Sequence, residues 1–281
     1  MKVSIQGVKG AFHQEAANLY FGRETDILPQ LSFTDLIDSV IQKEADYGIM
    51  AIENTISGTI HNNLNLIRNS NLKITGEVYL HIQQNLVALP GTAIQDLKQV
   101  HSHYMAINQC REFFREYPNI KLIDSEDTAL SMKMVSERKS HQYAAIGSKI
   151  AAEYYGLEII QESIETNKQN YTRFLIIEKE KHQNDFDKAS LALLLPHKKG
   201  SLAKILSIID FYDINLSKIE SLPIIGEPWH YLFYIDVLFE KSKVYQQMVQ
   251  AIEPLVDELQ ILGEYSFGKQ SFNQIIETKK H

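Results

Sequence analysis

Apolar positions along this chain switch repeatedly between the alternation of a strand and the three-to-four spacing of a helix. Residues 3–6 read as a strand and residues 12–21 as a helix. Leu36, Ile37, Val40 and Ile41 fall on one helical stripe, with Thr34 placed to cap it. Residues 47–52 form an apolar run with the length of a buried strand. Further on, residues 106–114, 128–135 and 148–155 read as helices, and residues 120–123, 143–146 and 157–160 as strands. Short strands alternating with helices predict an α/β fold with a mostly parallel sheet. In such sheets ligands gather at loops beyond the carboxyl ends of strands.

The pattern breaks at Glu-Lys-Glu-Lys-His-Gln-Asn-Asp-Phe-Asp-Lys, residues 178–188, a charged stretch with almost no apolar residue. That places a catalytic part at 1–180, a linker at 181–188 and a second domain at 189–268. In the second part residues 190–195 read as a strand, 201–212 as a helix, 214–222 and 230–238 as two strands, and 259–265 as a last strand. The two middle strands flank a turn at Ile225-Gly226-Glu227-Pro228. Val244, Met248, Ala251, Ile252 and Leu255 make another helical stripe, which Pro254 ends. The order is β-α-β-β-α-β, the ferredoxin-like arrangement. Tyr231, Phe233, Ile235 and Val237 alternate with Leu232, Tyr234, Asp236 and Leu238, so both faces of that strand are largely apolar. One face can pack on the two helices; the other needs a partner domain or subunit. The polar tail, 269–281, reads as loose.

Composition narrows the function. Hydrophobic residues make up 44% and charged residues 22% of the 281 positions, which is ordinary for a soluble globular protein. No segment approaches the roughly 18 apolar residues of a membrane-spanning helix, and the N-terminus has no apolar signal-peptide core. A net charge of −7 argues against nucleic acid, whose phosphates need a basic footprint. An anionic substrate would need local donors. Cys110 is the single cysteine, which points to a reducing, cytoplasmic compartment. His101 and His103 have no third partner at metal-ligand spacing, so structural or substrate-loop roles suit them better.

Four loops carry candidate chemistry, each where polar residues or glycines meet an apolar strand. Gln6-Gly7-Val8-Lys9-Gly10-Ala11-Phe12 puts two glycines before a helix, either a backbone anion cradle or an ordinary strand–helix turn. Glu53-Asn54-Thr55-Ile56-Ser57-Gly58-Thr59 follows a buried strand; its hydroxyls can donate to an anion, and Ser57 or Thr59 can cap the next helix. His101-Ser102-His103 leads into Tyr104-Met105-Ala106-Ile107-Asn108-Gln109-Cys110, where Cys110 reads as a small buried residue rather than a nucleophile. Asn170-Tyr171-Thr172-Arg173-Phe174 opens a strand with Asn170 and Thr172 on one face and Arg173 on the other.

Taken together and in this order, the loops resemble the prephenate dehydratase family. The Gly-x-x-Gly-x-Phe opening matches Gly7, Gly10 and Phe12, and Ile-Glu-Asn-Ser/Thr-x-x-Gly matches Ile52, Glu53, Asn54, Thr55 and Gly58. His-x-x-Ala-x-x-Gln-Cys matches His103, Ala106, Gln109 and Cys110, and Asn-x-Thr-Arg-Phe matches Asn170, Thr172, Arg173 and Phe174. Ala144-Ala145-Ile146 and the run from Ala151 to Leu157 match a further block. The C-terminal part resembles an ACT domain through Gly200-Ser201-Leu202 and Asn215-Leu216-Ser217-Lys218-Ile219-Glu220-Ser221.

The resemblance implies an α/β catalytic domain of two lobes similar to type II periplasmic binding proteins, followed by an α+β ferredoxin-like ACT domain. It implies conversion of prephenate to phenylpyruvate, water and carbon dioxide, with no cofactor and no metal, and inhibition by L-phenylalanine in a homodimer or homotetramer. On it, Thr172, Asn170, Arg173 and Phe174 are catalytic. Gly7, Gly10, Ala11, Phe12, Glu53, Asn54, Thr55, Ser57, Gly58, Thr59 and His103 bind substrate. Gly200, Ser201, Leu202, Asn215, Leu216, Glu220 and Ser221 bind phenylalanine. Ala11 and His13 depart from the threonine and serine common in the family, and Leu222 from an arginine. Arogenate dehydration, and non-catalytic binding of a small anion, are the alternative readings.

Overall fold

The computed structural model describes residues 1–23, 25–180, 185–224, 231–268 and 271. The first elements are β1 (Lys2–Gln6), α1 (Phe12–Phe21), β2 (Asp26–Gln30), α2 (Phe33–Ile41), β3 (Tyr47–Asn54) and β4 (Gly58–Thr59). Then come α3 (His61–Asn69), β5 (Lys73–His81), β6 (Asn85–Ala88), β7 (Gln99–His103), α4 (Tyr104–Cys110) and β8 (Lys121–Ser125). They are followed by α5 (Thr128–Arg138), β9 (Tyr143–Gly147), α6 (Lys149–Tyr155), β10 (Glu158–Gln161) and β11 (Tyr171–Glu178). The last elements are β12 (Lys188–Leu194), α7 (Ser201–Phe211), β13 (Asn215–Pro223), β14 (Tyr231–Leu238), α8 (Ser242–Ile252) and β15 (Glu258–Tyr265). The chain forms two compact units, Met1–Thr59 with Tyr79–Phe174, and Ile60–Val78 with Leu175–His281.

In the first unit β1 lies between β2 and β3, parallel to both, and the short β4 folds back antiparallel onto β3. Val3, Ile5, Ile49, Met50 and Leu36 are buried here. A separate sheet has the order β10-β6-β9-β7-β8. There β7 is parallel to β8 and β9, whereas β6 runs antiparallel to both β9 and β10. This sheet is therefore mixed rather than parallel throughout. Its two faces bury separate clusters, one with Leu86, Val100, Ile107 and Cys110, the other with Val87, Met132, Ala145 and Ala151. Cys110 is fully buried, and burial pushes its thiol pKa up, so it is the inert core residue expected.

Some local expectations are corrected. Ser32, not Thr34, caps α2, its hydroxyl accepting from Asp35 N–H at 3.1 Å. Thr34 already lies inside the first turn, too late to meet the orphan donors. The helix at 106–114 is shorter and starts earlier: the His103 side chain accepts from Met105 N–H, α4 ends at Cys110, and a 3-10 turn follows at Phe113–Glu116. Strand β2 escaped the sequence reading because it contains Pro29; it is the outermost strand beside β1, where a missing N–H is tolerated.

In the second unit β12, α7, β13, β14, α8 and β15 follow in the expected β-α-β-β-α-β order, with strands arranged β13-β14-β12-β15 and antiparallel throughout. Leu191, Leu193, Ile235 and Val237 meet Ile205, Ile209, Met248 and Ile252 of the two helices. The opposite face of β14 is covered from within the chain. Tyr234 OH donates to Asn65 of α3 at 2.8 Å, Arg68 forks onto both carboxylate oxygens of Glu258 at 2.9 and 3.0 Å, and His61 meets Glu220 at 3.0 Å. Strand β5 presses so closely on Gly263 that a Cβ there would lie 2.1 Å from the Ile74 carbonyl oxygen. Beside it the buried Lys188 ammonium bonds both oxygens of the buried Glu77 at 2.9 and 2.8 Å. The cover expected from a partner is thus supplied by residues 60–78. The turn at 225–228 lies outside the described residues, as does the tail apart from Ser271.

Candidate active site

The site grows from the end of β3 and the start of β11. Asn54 is the organising residue. Its carbonyl oxygen accepts the backbone N–H of Ile56 and of Ser57, both at 2.9 Å. Those two donors cannot turn around, so the amide nitrogen must face the other way. There it donates to Asn170 Oδ1 at 2.7 Å and to Thr172 Oγ1 at 2.9 Å. Asn170 and Thr172 therefore do share one strand face. Thr55 clamps the two segments together: its hydroxyl donates to the Gln169 carbonyl at 2.8 Å, and it exchanges bonds with Tyr171 at 3.0 and 2.9 Å. The Asn170 amide nitrogen in turn donates to Gln109 Oε1 on α4 at 3.0 Å.

Burial sharpens this network. Asn170 is fully buried, and Thr172 retains 8% exposure. The Thr172 hydroxyl oxygen accepts from Asn54, and among the described residues no acceptor takes its proton. Arg173 points elsewhere. Its guanidinium is buried and pairs with Glu53 at 3.2 Å. Phe174 is buried, with the His13 ring edge-on at 5.1 Å. Burial lowers the His13 pKa to about 4, so this imidazole is neutral near pH 7.

The first glycine loop sits differently. Gly7 N–H donates to the Gln30 carbonyl, Gly10 N–H to the Gln14 side chain, and Ala11 N–H to the Val8 carbonyl. Ser148 Oγ donates to the Gly10 carbonyl at 2.7 Å, and a Cβ on Gly10 would lie 2.7 Å from Ala151 Cα. Three of the loop's donors are thus committed to the protein, and its glycine allows a close approach to α6. Phe12 begins α1. Ser57, Gly58 and Thr59 lie just past Asn54, in and beside β4, and His103 caps α4.

Chains of similar sequence and structure bear on this arrangement. The prephenate dehydratase family model matches residues 3–182. The bifunctional chorismate mutase/prephenate dehydratase of Enterobacter agglomerans is 32% identical, covering 94% of this chain and 70% of that protein. This chain belongs to the prephenate dehydratase family. The family's enzyme from Arthrobacter aurescens, solved in complex with L-Phe, superposes with a TM-score of 0.87 at 26% identity, over 96% of this chain and 91% of that one. GqqA, described as a novel type of quorum-quenching acylase, also reaches 0.87, at 25% identity over 94% and 97%.

Against the family motifs, the structure brings Glu53, Asn54, Thr55, Gln109, Asn170, Thr172 and Arg173 into one connected group. Gln109 is absent from the candidate site residues expected from the sequence, and so is Gln84, whose side chain donates to Gln109 Oε1 at 3.3 Å. Gln84 lies in His81-Ile82-Gln83-Gln84-Asn85, a polar run between two apolar strands, and that interruption is the signal available in the sequence. The residues expected to bind phenylalanine do not gather at one place. Register pairs Leu232 with both Leu194 and Leu222, and Leu238 with both Lys188 and Asn215. Gly200, Ser201 and Leu202 open α7 beyond the first end; Asn215 and Leu216 stand at the other, about 20 Å away along the strands. Glu220 and Ser221 lie toward the first end.

Proposed function

We propose that this chain is a prephenate dehydratase that uses Thr172 as its donor to the leaving group. The observation that carries the assignment is the Thr172 hydroxyl, whose lone pair is held by Asn54 and whose proton has no acceptor among the described residues. Prephenate must lose a ring hydroxide and carbon dioxide. As the carbon–carbon bond to the carboxylate breaks, its electron pair enters the ring, the carbon–oxygen bond breaks, and the departing hydroxide, hydrogen-bonded by Thr172, becomes water with a proton drawn from solvent. Aromatisation drives the reaction, so departure of hydroxide is the hard step. A hydrogen bond aimed at that oxygen is worth most in the transition state. The bond from Asn54 leaves the Thr172 proton as the group's outward offering and polarises the hydroxyl. Arg173, paired with Glu53, supports the strand that carries Thr172. Incubating the protein with prephenate, and separately with arogenate, tests the reading through the ultraviolet absorbance of phenylpyruvate in alkali and through phenylalanine release. Consumption of neither compound would sink it.

The reading extends to regulation. We assign residues 1–180 to catalysis, 181–188 to a linker, of which 181–184 lie outside the described residues and Lys188 already opens β12, and 189–268 to an ACT domain that binds L-phenylalanine. It is supported by the strand order of the second unit and by a cavity of about 390 Å³ lined by Leu195, Ser201, Leu202, Tyr231 and Phe233 among others. The L-Phe complex of the Arthrobacter aurescens enzyme points the same way. Strand β13 is the outer strand of its sheet. Two copies joined antiparallel through β13 around a two-fold axis would carry Asn215 of one to the Leu222 end of the other. That reunites the two halves of the phenylalanine set and makes the enzyme a homodimer or a dimer of dimers, working in the cytoplasm. Light scattering with and without phenylalanine, read beside calorimetry, tests it. A monomer that binds phenylalanine fully would overturn the shared-site arrangement.

A further inference from the structure

The hydrogen bonds that hold Thr172 do not stop at Gln109. Gln109 Oε1 accepts from Asn170 Nδ2 at 3.0 Å and also from Gln84 Nε2 at 3.3 Å. Gln84 stands just before β6, is buried, and is tied by its backbone: its N–H donates to Glu165 Oε2 at 2.8 Å and its carbonyl accepts from Ile164 N–H at 2.7 Å. The direction of the whole chain is fixed from the far end. Ile56 and Ser57 fix the Asn54 amide, Asn54 fixes Asn170, and Asn170 requires an oxygen from Gln109. That oxygen has room for a second donor, and Gln84 is the residue that offers one.

Gln84 gains little stability from this role. Its side-chain oxygen, Oε1, is buried and makes no hydrogen bond among the described residues. An unpaired buried amide oxygen is a standing cost, and an apolar side chain of the same length would remove it. A residue serving packing alone would be better replaced by methionine or leucine.

We infer that Gln84 is a positioning residue for the dehydration, acting through Gln109 and Asn170 on Asn54 and Thr172. The inference rests on the dehydratase reading and deepens it. By donating to Gln109 Oε1, Gln84 fixes the rotamer of Gln109, which otherwise hangs on one bond. Asn170 then cannot swing, and the Asn54 nitrogen stays aimed at Thr172. What Gln84 sets is the direction of the Thr172 proton. That direction affects the transition state far more than the binding of substrate carboxylates.

Two variants test this against the wild type, each assayed with prephenate. Gln84→Met should melt no lower than wild type, keep KM within about twofold, and lose about tenfold in kcat at every pH. Gln84→Glu supplies a group that donates only when protonated. The charged groups beside it are the Glu165 carboxylate, which accepts from the residue's own N–H, and Lys168, which pairs with Glu165 at 3.7 Å. Burial and the Glu165 charge hold the new carboxyl above its ordinary pKa. Its kcat should approach wild type at low pH and fall to the methionine level as pH rises, adding a limb to the profile that wild type lacks. A methionine variant with normal kcat, or a glutamate variant whose profile parallels wild type, overturns the role of Gln84 while leaving the dehydratase reading standing. If the methionine variant fails to fold, the glutamate profile alone decides. A wild type without turnover sinks both.

Discussion

Two loops of the first unit look alike in the sequence and turn out opposite in the structure. The loop from Gly7 to Phe12 and the loop from Glu53 to Thr59 each follow a buried strand and carry glycine and polar groups. The second reaches across to β11 and arranges side-chain donors around a hydroxyl whose proton stays available. The first turns three of its donors inward, to Gln30, Gln14 and Val8, and lies against α6. In this loop the N–H groups of both glycines already hold protein acceptors. The two loops differ in what presents the donor, backbone in the first and side chains in the second.

The largest effect should come from the side-chain loop. Thr172→Ala removes the outward hydroxyl and should lower kcat by about 10²–10³, as deleting one transition-state donor typically does. Thermal stability should hardly change, because Asn54 Nδ2 keeps Asn170 and the Tyr171 carbonyl as acceptors. Thr172→Ser should retain most activity. Steady-state kinetics beside calorimetric melting separates the two quantities, and a near-normal kcat in the alanine variant would remove Thr172 from the mechanism.

The glycine loop should respond in stability instead. Gly10→Ala places a Cβ 2.7 Å from Ala151 Cα at a residue with φ of +92°. Backbone cannot move aside as a side-chain tip can, so overpacking and the positive φ together should cost about 2–4 kcal/mol. Urea unfolding measures this. The folded fraction should turn over substrate at close to the normal rate; a stable variant with lost activity would make the loop part of the chemistry after all.

His13 offers a test by pH. Its folded pKa, about 4, lies below the unfolded value of 6.5, because burial penalises the charged ring. The unfolded chain then binds the extra proton first as pH falls. Stability from His13 is complete above pH 6.5 and declines toward pH 4, by on the order of 2 kcal/mol between pH 6.5 and 4.5. Glu15 runs the other way: burial first, and Glu153 second, raise its pKa to about 7, so its contribution fades as pH rises from 4.5 to 7. His13→Phe removes only the first effect. Compared with wild type, it should lose less stability on acidification, read from melting temperatures across that range. Parallel losses would mean that the ring is charged or exposed in the folded protein.

Much of this was readable because the signals are local. The β-α-β-β-α-β order of the second unit follows from stripes such as Leu202, Ile205 and Ile209, and the shared face of Asn170 and Thr172 follows from strand alternation. What escaped depends on partners distant in sequence. Nothing in His-Asn-Asn-Leu-Asn-Leu-Ile-Arg-Asn says that Asn65 will bond Tyr234 and Arg68 will bond Glu258, so the sequence leaves open whether another domain or another subunit covers β14. The family resemblance groups Asn215 with Gly200, yet helix α7 between them carries the chain from one end of the sheet to the other. Gln84 sits in no motif that names it; only the register of amides from Asn54 onward gives it a role.

The smallest expected effect probes the joint between the glycine loop and α6. Ser148 caps α6, its hydroxyl accepting from Ala151 N–H at 3.1 Å while donating to the Gly10 carbonyl at 2.7 Å. Ser148→Ala leaves both backbone groups short of a partner in a buried place, which should cost about 1 kcal/mol. Gly10 itself is untouched, so the loop keeps its backbone path, and Gln14 and Tyr155 still hold it through Gly10 N–H and the Lys9 carbonyl. If the loop serves packing, this loss appears in urea unfolding alone, and kcat and KM stay within about twofold of wild type. If the loop presents donors to substrate, loosening its anchor should raise KM while stability falls only slightly. The ratio of those two changes, measured on one variant, decides which of the two loops binds substrate without requiring a glycine to be replaced.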